Sequence, residues 1–105
     1  MVKPSDFRAI VRRGRRTSTP STLIYRVERD PADPARFGFI VAKTVGNAVE
    51  RNLVRRRMRA VCRSIVDAGG SGSDVVVRAL PGSAQRDWVS LSAEMHAILD
   101  PALIR

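Results

Sequence analysis

The sequence has little cysteine and histidine, two residues that often bind metals or carry nucleophilic and acid–base catalysis. Cys62 is the only cysteine, so an internal disulfide and a cysteine-cluster metal site are both excluded. His96 is the only histidine, and nothing in the sequence suggests partners that would build a catalytic triad with it. Asp30 and Asp33 share a proline-containing loop, which favours turn residues over an acid/base pair. The sequence therefore predicts no catalytic residue and no protein-bound metal.

Long apolar runs are missing as well. No stretch reaches the about 18 apolar residues that a membrane-spanning helix needs, and the opening MVKPSDF lacks the apolar core of a signal peptide. We therefore expect a cytoplasmic protein that does not span a membrane. Aromatic residues make up only 5% of the chain, whereas hydrophobic residues reach 44%. Residues 1–105 are thus expected to form a single domain around a core of Val, Ile, Leu and Ala.

Negative charge is scarce relative to positive charge. The chain has 19 basic and 10 acidic residues, a net charge of +9, and 17 of the 19 basic residues are arginines. So strong a positive field in a small domain indicates a polyanionic partner, either nucleic acid or an anionic membrane surface. The excess of arginine favours nucleic acid and no membrane partner, because the planar guanidinium binds phosphate bidentately and stacks on bases, although a GC-rich genome also raises the arginine content.

The hydrophobic pattern predicts three helices and at least three strands. Periodicity and turn residues place helices near residues 5–13, 47–67 and 87–99 and strands at 22–28, 36–43 and 74–80. The first two strands look like an antiparallel pair, and Ser5 or Asp6 is the expected cap of the first helix. The order of elements predicts an α+β two-layer sandwich with helices packed on a small sheet. Trp88 keeps the apolar spacing of the last helix and is therefore predicted to lie in the core.

The helix at 47–67 carries most of the functional signal. Asn47 followed by Glu50 is close to a capping-box pattern. At about 100° per residue, one arc of about 140° is basic or amide-bearing, and we call it the basic face. The basic face consists of Arg51, Asn52, Arg55, Arg56, Arg59 and Arg63. The apolar residues of the helix gather on its other side, and Arg57 falls outside the basic face.

The basic face indicates a surface that binds a polyanion. Glu50 is the only acid between residues 48 and 66, so ion pairs within the helix cannot neutralise the arginines. Phosphates would relieve the mutual repulsion of these charges, and their binding would release counterions. The alternative is a merely solvated face, but solvated helix faces usually mix charges of both signs. Asn52 is either a neutral surface residue or a contact to a base edge, a ribose hydroxyl or a phosphate.

A resemblance to a known family begins in the stretch KTVGNAVERNLVRRRMR, residues 43–59. It resembles the signature of the bacterial ribonuclease P protein subunit, in which a strand ends in Lys, a Gly-Asn-Ala-Val turn follows, and a helix carries Arg-Asn-x-x-Lys/Arg-Arg-x-x-Arg. The positions of that helical motif are filled here by Arg51, Asn52, Arg55, Arg56 and Arg59. The likeness extends over nearly the whole chain, from Ser5-Asp6-Phe7 to the strand at Asp74.

The resemblance implies a fold and a division of labour. The fold is a mixed sheet of about four strands with three helices, in the order α-β-β-β-α-β-α, including a short strand that the pattern does not locate. A left-handed crossover would join the strand ending at Lys43 to the parallel strand at Asp74, where the general rule predicts a right-handed one. The family's catalytic RNA removes the 5′ leader of precursor tRNA, with Mg²⁺ held mainly by the RNA. The protein is expected to be inactive alone, monomeric apart from RNA, and bound to the catalytic RNA through the basic face.

The resemblance also implies a cleft between the first helix and the sheet, which holds the single-stranded leader. The residues that line it by position are Phe7, Val11, Tyr25 and Lys43, with Phe37 or Phe39 beside them. Further basic contacts are expected from Arg8, Arg12, Arg15 and Arg16. Aromatic rings stack on unpaired bases while nearby basic side chains follow the backbone. Core packing is the alternative for Phe7, and it is slightly favoured for Phe37 and Phe39, which strand alternation sends to one face.

Three departures from the family pattern bear on RNA contacts. The basic segment before Ser5 is short, Val11 stands where an aromatic is frequent, and Thr44 replaces a second Lys. Two rival functions stay open. A small ribosomal or assembly protein with a similar βαβ core would co-sediment with ribosomes and leave leader cleavage unchanged. An intrinsic nuclease would be active without RNA, but the lack of an acid cluster argues against it.

Overall fold

In the computed structural model, which describes residues 2–99, the chain folds into three α-helices and four β-strands in the predicted order α-β-β-β-α-β-α. In chain order the elements are α1 Pro4–Arg13, β1 Arg15–Ser18, β2 Thr22–Glu28, β3 Arg36–Ile40, α2 Ala48–Asp67, β4 Ser73–Ala79 and α3 Trp88–Leu99. Short 3₁₀ turns at Lys43–Val45 and Ser83–Gln85 lead into α2 and α3. Among residues 2–99, every helix is too short or too polar to span a membrane.

The four strands form one mixed sheet in the order β1-β2-β4-β3. β4 runs antiparallel to β2, with Val76 opposite Tyr25, and parallel to β3 on its other edge. The predicted antiparallel pairing of the strands at 22–28 and 36–43 is therefore wrong. The reason lies in β4, whose residues are all buried except Arg78, so that β4 takes the interior position between the two. The crossover through α2 joins β3 to its parallel neighbour β4, and the left-handedness of this crossover stays a prediction.

The strands differ from the predicted ones in two places, at β1 and at the end of β3. Arg15–Ser18 forms β1, the short strand that the resemblance implied, where the pattern predicts only a basic run and a polar stretch. Three of its four residues are exposed, so the strand shows no alternation of apolar and polar residues. β3 ends at Ile40 instead of Lys43, because the chain turns into the 3₁₀ segment Lys43–Val45.

The start of α2 is fixed by side-chain caps. Asn47 Oδ1 accepts a hydrogen bond from the Glu50 amide at 2.8 Å, and Glu50 Oε1 accepts one from the Asn47 amide at 3.0 Å. This reciprocal pair confirms the predicted capping box. The predicted caps of α1 are wrong, because the helix begins at Pro4, before Ser5 and Asp6. Its N-cap residue is Lys3, which makes no side-chain capping hydrogen bond. A proline in its first turn supplies a preset helical φ instead.

Helices cover both faces of the sheet. α2 and α3 pack on the face that carries Ile24 and Val77, whereas α1 packs on the face that carries Tyr25 and Val76. These neighbouring residues point to opposite faces because side chains alternate along a strand. The sheet with α2 and α3 makes the two predicted layers, and α1 adds a partial third layer. The helix that carries the basic face and α1 therefore lie on opposite sides of the sheet.

The proline-containing loop after β2 is held by ion pairs around Asp74. Arg36 donates two hydrogen bonds to its carboxylate, at 2.9 and 2.7 Å, and Arg29 donates a third at 3.1 Å. The hydrogen bonds from Arg36, above all, hold the pKa of Asp74 below its ordinary value. Asp33 pairs with Arg29 at 3.2 Å, so this loop acid has a structural partner. Arg29 and Arg36 are thus already neutralised within the fold.

Trp88 lies outside the core, contrary to the prediction. Its side chain is 43% exposed in the first turn of α3, whereas Leu91 and Met95 are fully buried. Helical spacing identifies one side of a helix but does not reveal how far along the axis the neighbouring layer extends.

Leu91→Ala is expected to lower the free energy of unfolding by about 2–5 kcal/mol, because it opens a cavity in a fully packed site. Trp88→Ala is expected to cost clearly less, since much of that side chain already contacts water. Urea denaturation of both variants measures the difference. Equal losses would contradict the surface position of Trp88.

Candidate nucleic-acid interface

The basic face of α2 is an accessible, uncompensated positive surface. The arginines at its start, Arg51 and Arg55, are half-buried, and the remaining members, Asn52, Arg56, Arg59 and Arg63, are exposed. Within residues 2–99, the acid-paired arginines all lie elsewhere, so no member of the basic face belongs to an ion pair. Asn52 Oδ1 accepts a long hydrogen bond, 3.4 Å, from Arg55 Nη1. This contact orients the amide beside a guanidinium on the exposed surface.

The opposite side of α2 confirms the helical wheel. Val54, Met58, Val61 and Ile65 are all at most 1% exposed, and they face the core shared with the sheet and α3. Arg57 lies outside the basic face, and its Nη1 donates to the carbonyl of Arg86 at 2.9 Å. Cys62 is 3% exposed, and burial raises the pKa of its thiol, which keeps it protonated and unreactive.

A shallow groove runs beside α1 on the other side of the sheet. We call it the α1 groove, and it is lined by Phe7, Arg8, Val11, Arg12 and Ile40. The ring of Phe7 closes over Gly38, since a Cβ placed on Gly38 would stand 2.4 Å from Phe7 Cζ. Only glycine allows this approach of the helix to the strand. The groove therefore has an apolar floor that includes one aromatic ring, and two arginines flank this floor.

The other residues predicted for the leader cleft take different positions. Tyr25 is on the same face as Phe7 but is only 7% exposed, because it is buried in the small core under α1. Lys43 is exposed in the 3₁₀ turn after β3 and does not line the groove. Of the cleft residues predicted from the resemblance, the α1 groove thus brings together Phe7 and Val11.

Phe37 and Phe39 do not reach the α1 groove, which corrects their predicted place in the cleft. Phe37 is buried in the core on the α2 side, and the half-buried Phe39 packs against the same core. Strand alternation sends both to one face, as expected, and that face is the one opposite Phe7. Core packing, the slightly favoured alternative, therefore describes Phe37 fully and Phe39 in part.

The basic residues around α1 divide between the two faces. Arg8 and Arg12 line the α1 groove. In β1, Arg16 stands opposite Tyr25 and shares its face, whereas Arg15 stands opposite Arg26 and faces the α3 side.

Two residues near the α1 groove were not expected from the sequence. Ile40 lines the groove, and the exposed Arg78 is its cross-strand partner in β4. Alternation within the segment DVVVRAL places Arg78 on the face of Val76. That Arg78 lies beside Ile40 on this face depends on the order of the strands, which the sequence pattern does not predict. Arg78 thus adds a positive charge next to the groove floor.

The donor set does not suit a metal ion. Within the described chain, no three His, Cys, Asp or Glu side chains come together in one place. Mg²⁺ prefers carboxylate and phosphate oxygens, and the few carboxylates here are dispersed or paired with arginines.

Sequence comparisons find the same family throughout. The sequence profile of the family described as Ribonuclease P matches residues 1–103. The chain is 43% identical over 99 residues to the ribonuclease P protein component of Clavibacter michiganensis, an alignment that covers 94% of this chain and 88% of that protein. The corresponding protein of Streptomyces avermitilis is 41% identical over 106 residues, covering 93% and 86%.

Solved structures with a similar fold carry related names. The RNase P protein of Staphylococcus aureus superposes with a TM-score of 0.82 at 24% identity, covering 99% of this chain and 94% of that one. The RNase P protein of Thermotoga maritima gives a TM-score of 0.79 at 21% identity, covering 90% and 89%. At these identities the likeness establishes the shared fold.

Proposed function

The chain belongs to the ribonuclease P protein family, and from this premise we propose that it binds the catalytic RNA and the 5′ leader of precursor tRNA through two separate surfaces. As the protein component of ribonuclease P it serves the processing of tRNA 5′ ends. The observation that carries the proposal is the position of the basic face and the α1 groove on opposite sides of the sheet. One domain can thereby contact two RNA molecules at once.

The basic face binds the catalytic RNA in this proposal. Its support is a row of arginines without acid partners on the exposed side of one helix, which matches phosphate groups spaced along a backbone. The capping box fixes the start of α2 and so the direction in which these side chains project. Affinity then comes mainly from phosphates, and Asn52 is placed to add a hydrogen bond to a base or ribose.

The α1 groove holds the leader. Phe7 offers a ring for an unpaired base, while Arg8 and Arg12 flank the apolar floor and suit the phosphates. Val11 and Ile40 make the rest of the floor aliphatic. One stacking platform and several aliphatic contacts fit a single strand that is bound without hydrogen bonds to particular bases.

The RNA subunit carries the chemistry in this account. We assign the Mg²⁺ of the reaction to the RNA, because the described protein residues do not fit a Mg²⁺ site. The protein supplies binding and orientation, acts as one RNA-binding domain in the cytoplasm, and needs no second protein copy.

Reconstitution with the cognate RNA at low Mg²⁺ tests the proposal. Cleavage of precursor tRNA should be faster with the protein than without it, because added RNA contacts replace part of the screening that Mg²⁺ provides. An unchanged rate, together with co-sedimentation of the protein with ribosomes, would support the rival assembly protein. Cleavage by the protein without RNA would support an intrinsic nuclease.

A further inference from the structure

A second groove lies between the outer edge of β3 and the C-terminal half of α2. We call it the β3–α2 groove, and the lining residues that matter here are Phe37, Phe39, Arg59, Arg63, Val66 and Asp67. β3 ends the sheet on this side, so no further strand of the described chain covers the groove. Aromatic residues that the sequence suggested for the leader thus meet arginines of the basic face.

Phe39 gives this groove an accessible aromatic floor. Phe37 is only 7% exposed, whereas Phe39 is half-buried and lines the groove. Val66 adds apolar surface from the side of α2. Among the described residues, the N-terminal segment meets the outer edge of β3 at Phe37, whose carbonyl accepts a hydrogen bond from the Val2 amide at 3.1 Å. Phe39, two residues further along β3, is partly exposed in the groove lining and so is accessible to a flat group from solvent.

Two arginines without ion-pair partners flank this floor. Arg59 and Arg63 are exposed, and neither forms a salt bridge within residues 2–99. Arg36 also lines the groove, but its guanidinium is bound to Asp74. Asp67 is the single acid of the described lining. The unpaired charges therefore leave an excess of positive charge around an aromatic surface.

We propose that the β3–α2 groove binds an unpaired nucleotide of the catalytic RNA, with the base against Phe39 and the adjoining phosphates at Arg59 and Arg63. An aromatic platform beside arginines is the chemistry that recognises single-stranded nucleotides. The catalytic RNA is the occupant because both arginines belong to the basic face, while the α1 groove lies across the sheet. The inference rests on the proposed function and adds base stacking to its phosphate contacts.

Phe39→Leu tests the stacking contact without removing charge. Leucine keeps apolar bulk against the core but loses the ring, so the catalytic RNA should bind about five- to tenfold more weakly. Filter binding measures the affinity, and a chemical footprint of the RNA should lose the protection of one unpaired base. The salt dependence of binding should stay unchanged. Trp88→Leu is the matched control, because it makes the same kind of change at an exposed site on α3.

Each outcome decides for or against the groove. If the wild type binds the RNA while Phe39→Leu keeps its affinity and footprint, the groove proposal fails and the proposed function stands. If the wild type does not bind the RNA, the proposed function fails and takes the groove with it. An RNA-independent dimer of the wild type that Phe39→Leu dissociates would assign the groove to a second copy instead. If Phe39→Leu does not fold, Arg63→Gln decides, since it should deprotect the same base.

Discussion

Replacing Arg51 or Arg55 with alanine is expected to weaken binding of the catalytic RNA about tenfold each, as the loss of a charge-assisted contact implies. Each change should also lower the slope of log affinity against log salt by about one counterion. Both side chains stand on the basic face without an acid partner in the described residues, so their charge is available to phosphates. Filter binding over a series of salt concentrations measures affinity and slope together.

Arg57→Ala is the matched control for these variants. It removes the same charge from the same helix, but Arg57 lies outside the basic face and contacts the Arg86 carbonyl. Its salt slope should therefore stay close to that of the wild type. Arg51 and Arg55 are half-buried, so their replacement also affects the stability of the fold. Thermal unfolding of every variant therefore separates weakened binding from a damaged fold. An unchanged slope in Arg51→Ala and Arg55→Ala would contradict the assigned surface.

Gly38→Ala is expected to reduce the preference for precursor tRNA over mature tRNA about tenfold, while binding of the catalytic RNA stays unchanged. The new methyl group would stand 2.4 Å from Phe7 Cζ, so the ring has to leave its place on the groove floor. A stacking contact to one base accounts for roughly 1–3 kcal/mol, which sets the size of the expected loss. Binding of both tRNA forms to the reconstituted particle measures the preference.

Mature tRNA is the internal control for Gly38→Ala, because it lacks the leader that the α1 groove is proposed to hold. Phe7→Leu provides a second route to the same loss, since it removes the ring without crowding the strand. A preserved preference for precursor tRNA in both variants would show that the leader lies elsewhere. Equal weakening of precursor and mature tRNA would point to a general disturbance of the particle.

Local features of this protein could be predicted from its sequence because they depend on residues close together in the chain. The capping box of Asn47 and Glu50 and the two sides of α2 follow from helical periodicity and short-range hydrogen bonds. The position of Arg57 outside the basic face follows in the same way. The stretch from residue 43 to residue 59 therefore carries both the local structure and the family signature.

Features set by distant contacts were not predictable in this way. The insertion of β4 between β2 and β3 depends on a pairing between residues far apart in the chain, so two strands adjacent in sequence are separated in space. That order decides which face Phe37, Phe39 and Arg78 occupy. The exposure of Trp88 likewise depends on where the neighbouring layer ends. For this reason the residues predicted for the leader cleft differ most from those that line the α1 groove. The residues of the basic face, by contrast, share one side of α2 as the helical wheel predicts.

A tethered RNA-cleaving probe tests the two-surface account most directly. Ala60 in α2 and Ala9 in α1 are exposed, and the buried Cys62 is shielded from thiol reagents, so a cysteine introduced at either position can carry an iron chelate. In the particle with precursor tRNA, the probe on Ala60→Cys should cut the catalytic RNA and the probe on Ala9→Cys should cut the leader. Cuts in the leader from Ala60→Cys, with none from Ala9→Cys, would contradict the account.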